Sequence, residues 1–312
     1  MRRTSFALAA AAALAAAAVT APAAHAAAPR EQAGSRTEIE AMPIKGRAAT
    51  AAATAANPIT FHGGPVMTSP NGVNAYVIWY GAWDNGAAAP VSKGAALLST
   101  LLGGIGGTPY WNTNSTYTDK LGAGIANKVT LAGQTTDFAY SLGKRLTDAN
   151  VKTLVSNAIT KGKLPKDVNG VYFVLTAKDV TETSGFLTKY CGWHTHAAIA
   201  TTDIKYSFVG DPSTKLANCS AQTVGPNGAA YAGADAMASV VAHELEEAAS
   251  DPALNAWYDA SGYENADKCA WTFGTTSLAT NGAKYNVTWG GTQFLIQQNW
   301  VAGTVQACAM AY

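Results

Sequence analysis

The stretch VVAHELEEAASDP, residues 240–252, sets one histidine and a cluster of carboxylates inside an Ala-rich run. Only 13% of the chain is charged, so that cluster asks for a reason. Extended upstream to DAMASVVAHELEEAAS, the segment reads as a helix with Asp235 as N-cap. It must end near Asp251, because Pro252 disfavours helix in the residue before it. At 3.6 residues per turn His243 and Glu247 stand one above the other, beside Ala236 and Val240. Met237, Val241, Leu245 and Ala248 form a second apolar strip, and Glu244 lies between the two strips. Glu246 falls on the far side with Ser239 and Ala242, where solvent is expected.

A histidine and a glutamate at i and i+4 can hold one metal ion. His243-Glu244-x-x-Glu247 therefore has the geometry of an H-E-x-x-H helix with Glu in place of the second His. Glu244 would take a proton from a water polarised by the ion. A surface helix with scattered acids would give the same letters, so the downstream sequence matters. NAWYDASGYENADKC supplies Glu264 and Asp267. In gluzincin-type peptidases a third ligand Glu follows the helix, with an Asp shortly after it that orients a ligand His. By that analogy of site, Glu264 is the third ligand and Asp267 the partner of His243. Asp251 and Asp259 read better as a helix end and a turn.

KYCGWHTH carries His194 and His196, two of the four histidines that follow residue 26. Two apart on a strand, they share a face. His194 is the candidate donor to a developing oxyanion. His194 or His196 is the alternative metal ligand, because a second imidazole leaves a bound zinc more positive than His with two Glu. The cofactor expected is one divalent ion, zinc.

The rest of the chain bounds these readings. MRRTSFALAAAAALAAAAVTAPAAHA has a basic start, an apolar run and a small-x-small end, and reads as a signal peptide over residues 1–26. Residues 27–56 are rich in Ala, Thr and charge, without an apolar period, and read as a disordered tail or pro-segment. Residues 57–312 read as one domain. The formal net charge of +1 falls to −1 without Arg2 and Arg3, and no basic patch appears, so nucleic acid is not an expected partner. No second segment is long and apolar enough to span a membrane. Cys191, Cys219, Cys269 and Cys308 make an even set, as befits an oxidising compartment, and the favoured pairing is Cys191–Cys219 with Cys269–Cys308. A secreted monomer is expected.

NAYVIWYG and NGVYFVLT are strands, the second continuous enough for a sheet centre. HTHAAIAT and KYSFVGD are two more. VSKGAALLSTLLGGIGG is a helix, and DANVKTLVSNAITKGKLP another, with Asp148 as N-cap. KCAWTFG, AKYNVTWGG and TQFLIQQNW suggest short strands and loops. The expected fold is α+β: a zincin-like mixed sheet packed on the active-site helix, with a β-rich C-terminal part. No G-x-S-x-G elbow, P-loop or dinucleotide fingerprint is present.

HGGPVMTSPNGVNAYVIWYGAW, VYFVLTAKDV, YCGWHTH, YSFVGDP and NAWYDASGYENADKC, in that order, resemble the EXORDIUM-like, or phosphate-induced-protein, family of secreted proteins. The resemblance covers roughly residues 58–312. It implies an extracellular setting and, from the plant members, a link to cell-wall growth responses. Many plant members lack the pair that stands here as His243 and Glu244, so the resemblance leaves the chemistry to this chain's own residues. Two functions follow as expectations. One is a secreted zinc-dependent hydrolase, a peptidase acting on peptide or protein. The other is an extracellular binding or signalling protein attached to a cell-wall component.

Overall fold

The computed structural model describes Met1 and residues 39–47, 57–83 and 92–312. The expected signal peptide and most of the 27–56 segment lie outside the described residues. Residues 39–47 do not, and here the expectation of a disordered tail needs correcting: Glu40–Pro43 (β1) is a strand of the main sheet.

That sheet has six strands. Val73–Tyr80 (β2), Val129–Asp137 (β3), Gly170–Thr176 (β4), Tyr190–Ile199 (β5) and Thr202–Gly210 (β6) join β1 in the order β1-β5-β6-β4-β2-β3. The strands β3, β2, β4 and β6 run parallel, while β5 and β1 each run antiparallel to their neighbours. Every residue of β4 is buried, as its unbroken apolar run requires of a strand covered on both faces. β3 lies at the far edge and alternates between buried and more exposed positions.

Three long helices pack on this frame: Lys93–Gly104 (α1), Asp148–Thr160 (α2) and Ala232–Ser250 (α3). The α2 cap is Thr147, one residue before the expected Asp148. Its hydroxyl accepts from Asn150 N–H, and the Asn150 side chain accepts from Thr147 N–H, so two otherwise unpaired amides are satisfied together. α3 begins three residues before Asp235. That carboxylate is not a cap; it accepts from the Asn227 backbone and side chain. The helix ends at Ser250 as expected, and Asp251 then shapes the exit by accepting from Asn255 and Ala256 N–H.

All 19 residues of α3 are buried. The helix packs on α1, on β5 and β6, and against C-terminal segments. Its Ala, Gly and Ser content lets neighbours approach on every side. Glu246, expected to be solvated, is fully buried; the Tyr110 hydroxyl donates to its Oε2 at 3.1 Å. A helical wheel separates faces but does not show what covers the far face. Here Tyr110 and the C-terminal strands cover it.

The C-terminal part is β-rich. Ser277–Leu278 pairs with Lys284–Tyr285, Val287–Trp289 with Thr292–Phe294, and Asn299–Val301 with Ala307–Ala309. Disulfides join Cys191 to Cys219 and Cys269 to Cys308, the pairing favoured from the sequence. No helix among the described residues is long and apolar enough to cross a membrane.

Candidate metal centre

The centre lies where α3 faces β5. His243, Glu244 and Glu247 come from α3, His194 from β5, and Glu264 and Asp267 from the turn after α3; all are buried. That turn is firmly held. Asp259 Oδ1 accepts from Ser261 and Tyr263 N–H, and Asp259 Oδ2 receives Lys268 Nζ at 2.9 Å in a fully buried pair. The disulfide at Cys269 ties the turn's far end to Cys308.

Glu247 stands at the middle. Its Oε1 lies 3.0 Å from His243 Nε2, and its Oε2 lies 3.4 Å from His194 Nδ1. Glu247 Oε1 also accepts from Asp267 N–H at 3.0 Å. Two donor triads share this carboxylate: His194, Glu244 and Glu247, and His243, Glu247 and Asp267. In the first, His194 Nδ1 is 3.3 Å from Glu244 Oε2. In the second, His243 Nε2 is 3.7 Å from Asp267 Oδ1. Glu264 faces the other histidine nitrogen, with Oε2 3.5 Å from His194 Nε2.

These separations bear on whether a metal fits. Two ligand atoms on a tetrahedral zinc at its usual bond lengths stand about 3.3 Å apart. The contacts around His194 Nδ1 match that spacing, and those around His243 Nε2 bracket it. His194 Nε2, His243 Nε2, Glu247 Oε2 and both Glu264 oxygens are buried without a hydrogen-bond partner. Buried ionisable groups are ordinarily paired, hydrogen-bonded or bound to metal. Close, misaligned donor atoms of mixed N and O type fit a divalent ion.

The electrostatics follow from the crowding. Burial works against a charged imidazole at His243, but Glu247 overcomes it and pushes the pKa up to about 9. At His194 burial is likewise outweighed, by Glu244 and Glu247, and the pKa rises to about 10. Burial would raise Glu247, yet the two histidines hold it down to about 2. Burial lifts Glu264 well above the ordinary range, and Asp251 and Glu247 add to this. Burial also raises Glu244.

The sequence-expected residues are thus mostly brought together, with two differences of detail. Asp267, expected as the partner of His243, lies in the His243 triad, while Glu264 faces His194. His196, the alternative ligand, lies outside the cluster: its Nδ1 is 2.6 Å from Asp203 Oδ1 on the neighbouring strand, and its side chain is partly exposed. Two contributors had no signal in the sequence. Gln297, buried in a C-terminal segment, places its side-chain amide 2.6 Å from His243 Nδ1. Met42 of β1 directs its N–H to Glu244 Oε1 at 3.4 Å.

Residues 59–310 match the family model described as the phosphate-induced protein 1 conserved region. Protein EXORDIUM-like 5 of Arabidopsis thaliana is 30% identical over 278 residues, 78% of this chain and 75% of that protein. Protein EXORDIUM-like 3 of the same plant is 31% identical over 276 residues, 78% of this chain and 80% of that protein. Protein EXORDIUM, also from Arabidopsis thaliana, is 29% identical over 232 residues, 67% of this chain and 70% of that protein. No solved structure matches the chain.

Proposed function

The chain belongs to the phosphate-induced protein 1, or EXORDIUM-like, family, and from its buried cluster we propose that it is a secreted, metal-dependent hydrolase acting on peptide bonds. The observation that carries this reading is the Glu247 carboxylate held between two histidines, amid donor atoms that have no hydrogen-bond partner. Zinc suits the mixed imidazole and carboxylate set. The arrangement of helix and sheet is read as zincin-like. Two disulfides and an N-terminal sequence of signal-peptide type support export.

In this reading Glu247 and His243 hold the ion, with the third ligand from the Glu264–Asp267 turn. A bound divalent ion would supply Lewis acidity at the carbonyl and acidify a nearby water. Glu244 accepts that water's proton on a carboxylate oxygen and returns it to the leaving amine. His194, 3.3 Å from Glu244 Oε2, holds the base in place. The even spacing around His194 Nδ1 favours a variant of this assignment, in which His194 and Glu244 are themselves ligands with Glu247.

One observation favours a second function. Every donor of the centre is closed off from solvent. A closed centre suits an extracellular wall-associated binding protein in which the ion only stabilises the fold. Metal analysis of protein prepared without chelators or affinity-tag metal tests both functions. About one equivalent of zinc is expected, together with hydrolysis in a peptide library. Full loading without hydrolysis selects the binding protein, and less than a tenth of an equivalent with no thermal shift on adding zinc ends the metal reading.

A further inference from the structure

The strand β1 is an unusual guest in the sheet. It comes from the segment before the domain, and residues 48–56 after it lie outside the described residues. It is only four residues long and pairs with β5 in the register Glu40 with His194, Ala41 with Trp193 and Met42 with Gly192. Pro43 has no N–H to offer and the register breaks there. Beyond it, Ile44 N–H donates to Lys189 and Lys45 N–H to Asn218, while Pro43 C=O accepts from Trp271 Nε1 at 3.0 Å. Side chains add to this main-chain pairing: Met42 and Glu40 are buried, and Ile39, Ala41 and Ile44 pack against the core.

Its other edge faces the centre. The Met42 N–H points to Glu244, so a main-chain amide lies between the edge of β5 and the carboxylate assigned as base. The Met42 side chain is fully buried and lines a cavity together with Ser220, Ala236, Ser239, Val240 and Trp271. Ala236 and Val240 belong to the row of α3 that continues to His243 and Glu247. Gly192 of β5 lies close to this row; a Cβ there would meet Val240 Cγ1 at 2.6 Å. The edge of β5, the helix row and the cavity therefore form one track, and β1 occupies it.

We infer that the edge of β5 from Tyr190 to His194 is a binding site for an extended peptide, and that residues 39–47 are its built-in occupant. A row of main-chain donors and acceptors beside a side-chain cavity recognises an extended polypeptide by strand addition, whereas a sugar chain has no matching ladder. As a substrate track the site rests on the hydrolase reading; as a peptide-binding edge it does not. It also accounts for the closed centre: the chain's own strand lies over it, and a peptide enters only when that strand leaves.

Hydrogen exchange on the full chain tests this. Met42→Asp puts a carboxylate into the buried cavity beside Ala236 and Val240 and should dislodge β1. Ala41→Pro disrupts the ladder without adding charge and serves if the first variant folds poorly. While the amides of residues 190–194 that face β6 keep their protection, those that face β1 should exchange at least tenfold faster in the variant than in wild type. A synthetic peptide of residues 39–47, IEAMPIKGR, added in excess, should restore protection there and nowhere else. A folded variant with unchanged exchange, or one whose exchange the peptide leaves unaltered, overturns the inference. Peptide cleavage is followed in parallel. Restored protection with no cleavage keeps the track and removes the hydrolase reading; cleavage at equal rates in wild type and variant, with no exchange response, does the reverse.

Discussion

Gln297 Nε2 lies 2.6 Å from Nδ1 of His243, and the same nitrogen donates to Ala266 C=O at 3.1 Å. The charged ring favoured by its carboxylates donates from Nδ1 and needs an acceptor there; with an amide N–H against Nδ1 only a neutral imidazole fits, its proton on Nε2, the nitrogen that faces Glu247 and Asp267. A metal needs the lone pair there, so the amide must turn and present Oε1, which is buried without a partner as it stands. Gln297 thus selects the tautomer of His243. Gln297→Leu should weaken zinc binding about ten- to a hundredfold, while Gln297→Glu, which offers only acceptors, should bind at least as tightly as wild type. Zinc titration against a competing chelator measures both. Equal affinities in all three proteins would remove His243 from the ligand set.

The buried pair of Tyr110 and Glu246 calls for a different kind of test. Burial pushes the Glu246 carboxyl well above its ordinary range, against the hydrogen bond from the Tyr110 hydroxyl and the His243 charge that lower it, so burial favours the neutral form. Tyr110→Phe removes that donor and should cost about 1–3 kcal/mol in urea unfolding, the usual penalty for a buried polar group left alone. Glu246→Gln replaces one neutral acceptor by another and should be nearly silent in stability. A large loss for Glu246→Gln would show that the carboxyl is ionised in the fold.

The miss at Glu246 shows where sequence reading stops. Apolar periodicity placed α3 and its seam correctly, because Met237, Val241, Leu245 and Ala248 must face a core wherever the helix lies. Periodicity says nothing about a second layer, and Tyr110 and the C-terminal strands supply one from far along the chain. The i, i+4 pair His243 and Glu247 was legible for the same local reason. Its companions were legible only as residue types: Glu264 and Asp267 share one turn, but which of them meets which histidine depends on how that turn is held by Asp259, Lys268 and Cys269. Gln297 and Met42 were not legible at all. One is an ordinary amide in a loop and the other sits in a segment whose composition reads as disordered.

The disulfide between Cys269 and Cys308 closes a loop with a sequence separation of 39 and anchors the turn that carries Asp267. Replacing both cysteines by Ala should lower stability by about 3–4 kcal/mol, from the loop entropy returned to the unfolded chain. Zinc affinity should fall as well, because the Asp267 N–H that holds Glu247 is positioned by this turn. Removing Cys191 and Cys219 should lower stability while leaving zinc affinity closer to wild type. Calorimetry and chelator competition on the two double variants make the comparison. Equal losses of affinity would mean that the Cys269 bridge has no particular role at the centre.

The metal-free protein should be most stable in mildly acidic solution. Burial opposes charge at both histidines, yet neighbouring carboxylates raise His243 to about 9 and His194 to about 10, from 6.5. The stability from a raised histidine is complete below 6.5 and is lost as pH climbs through the folded value. Glu264 and Glu246, kept neutral by burial, act in the same direction. Glu247 runs the other way: lowered from 4.5 to about 2, its contribution is present above 4.5 and lost as pH falls towards 2. The melting temperature should therefore peak near 4.5, decline from there as Glu264 and Glu246 are penalised, and decline further from 6.5 towards pH 10. Zinc must displace the histidine protons, so its affinity should rise about tenfold per pH unit for each proton released, up to the folded value. A flat melting profile from pH 5 to 10 in the metal-free protein would show that the histidines are not charged in the fold.

Glu244 decides between the two ways of arranging the centre. If the ion is held on the His243 side, Glu244 is a base and not a ligand. Glu244→Gln then keeps size, burial and the contact to Met42 N–H but cannot accept a proton. Zinc content should stay near wild type while peptide turnover falls by about a hundred- to ten-thousandfold. Glu247→Gln, by contrast, alters the carboxylate common to both triads and should strip the ion. Glu246→Gln, on the same helix but bonded only within the core, is the control expected to turn over normally. If Glu244→Gln loses the metal as Glu247→Gln does, the ion lies with His194, where the donor atoms stand 3.3 and 3.4 Å apart, and Glu244 is a ligand. Catalysis would then need another base, and Glu264 beside His194 Nε2 would be the residue to change next.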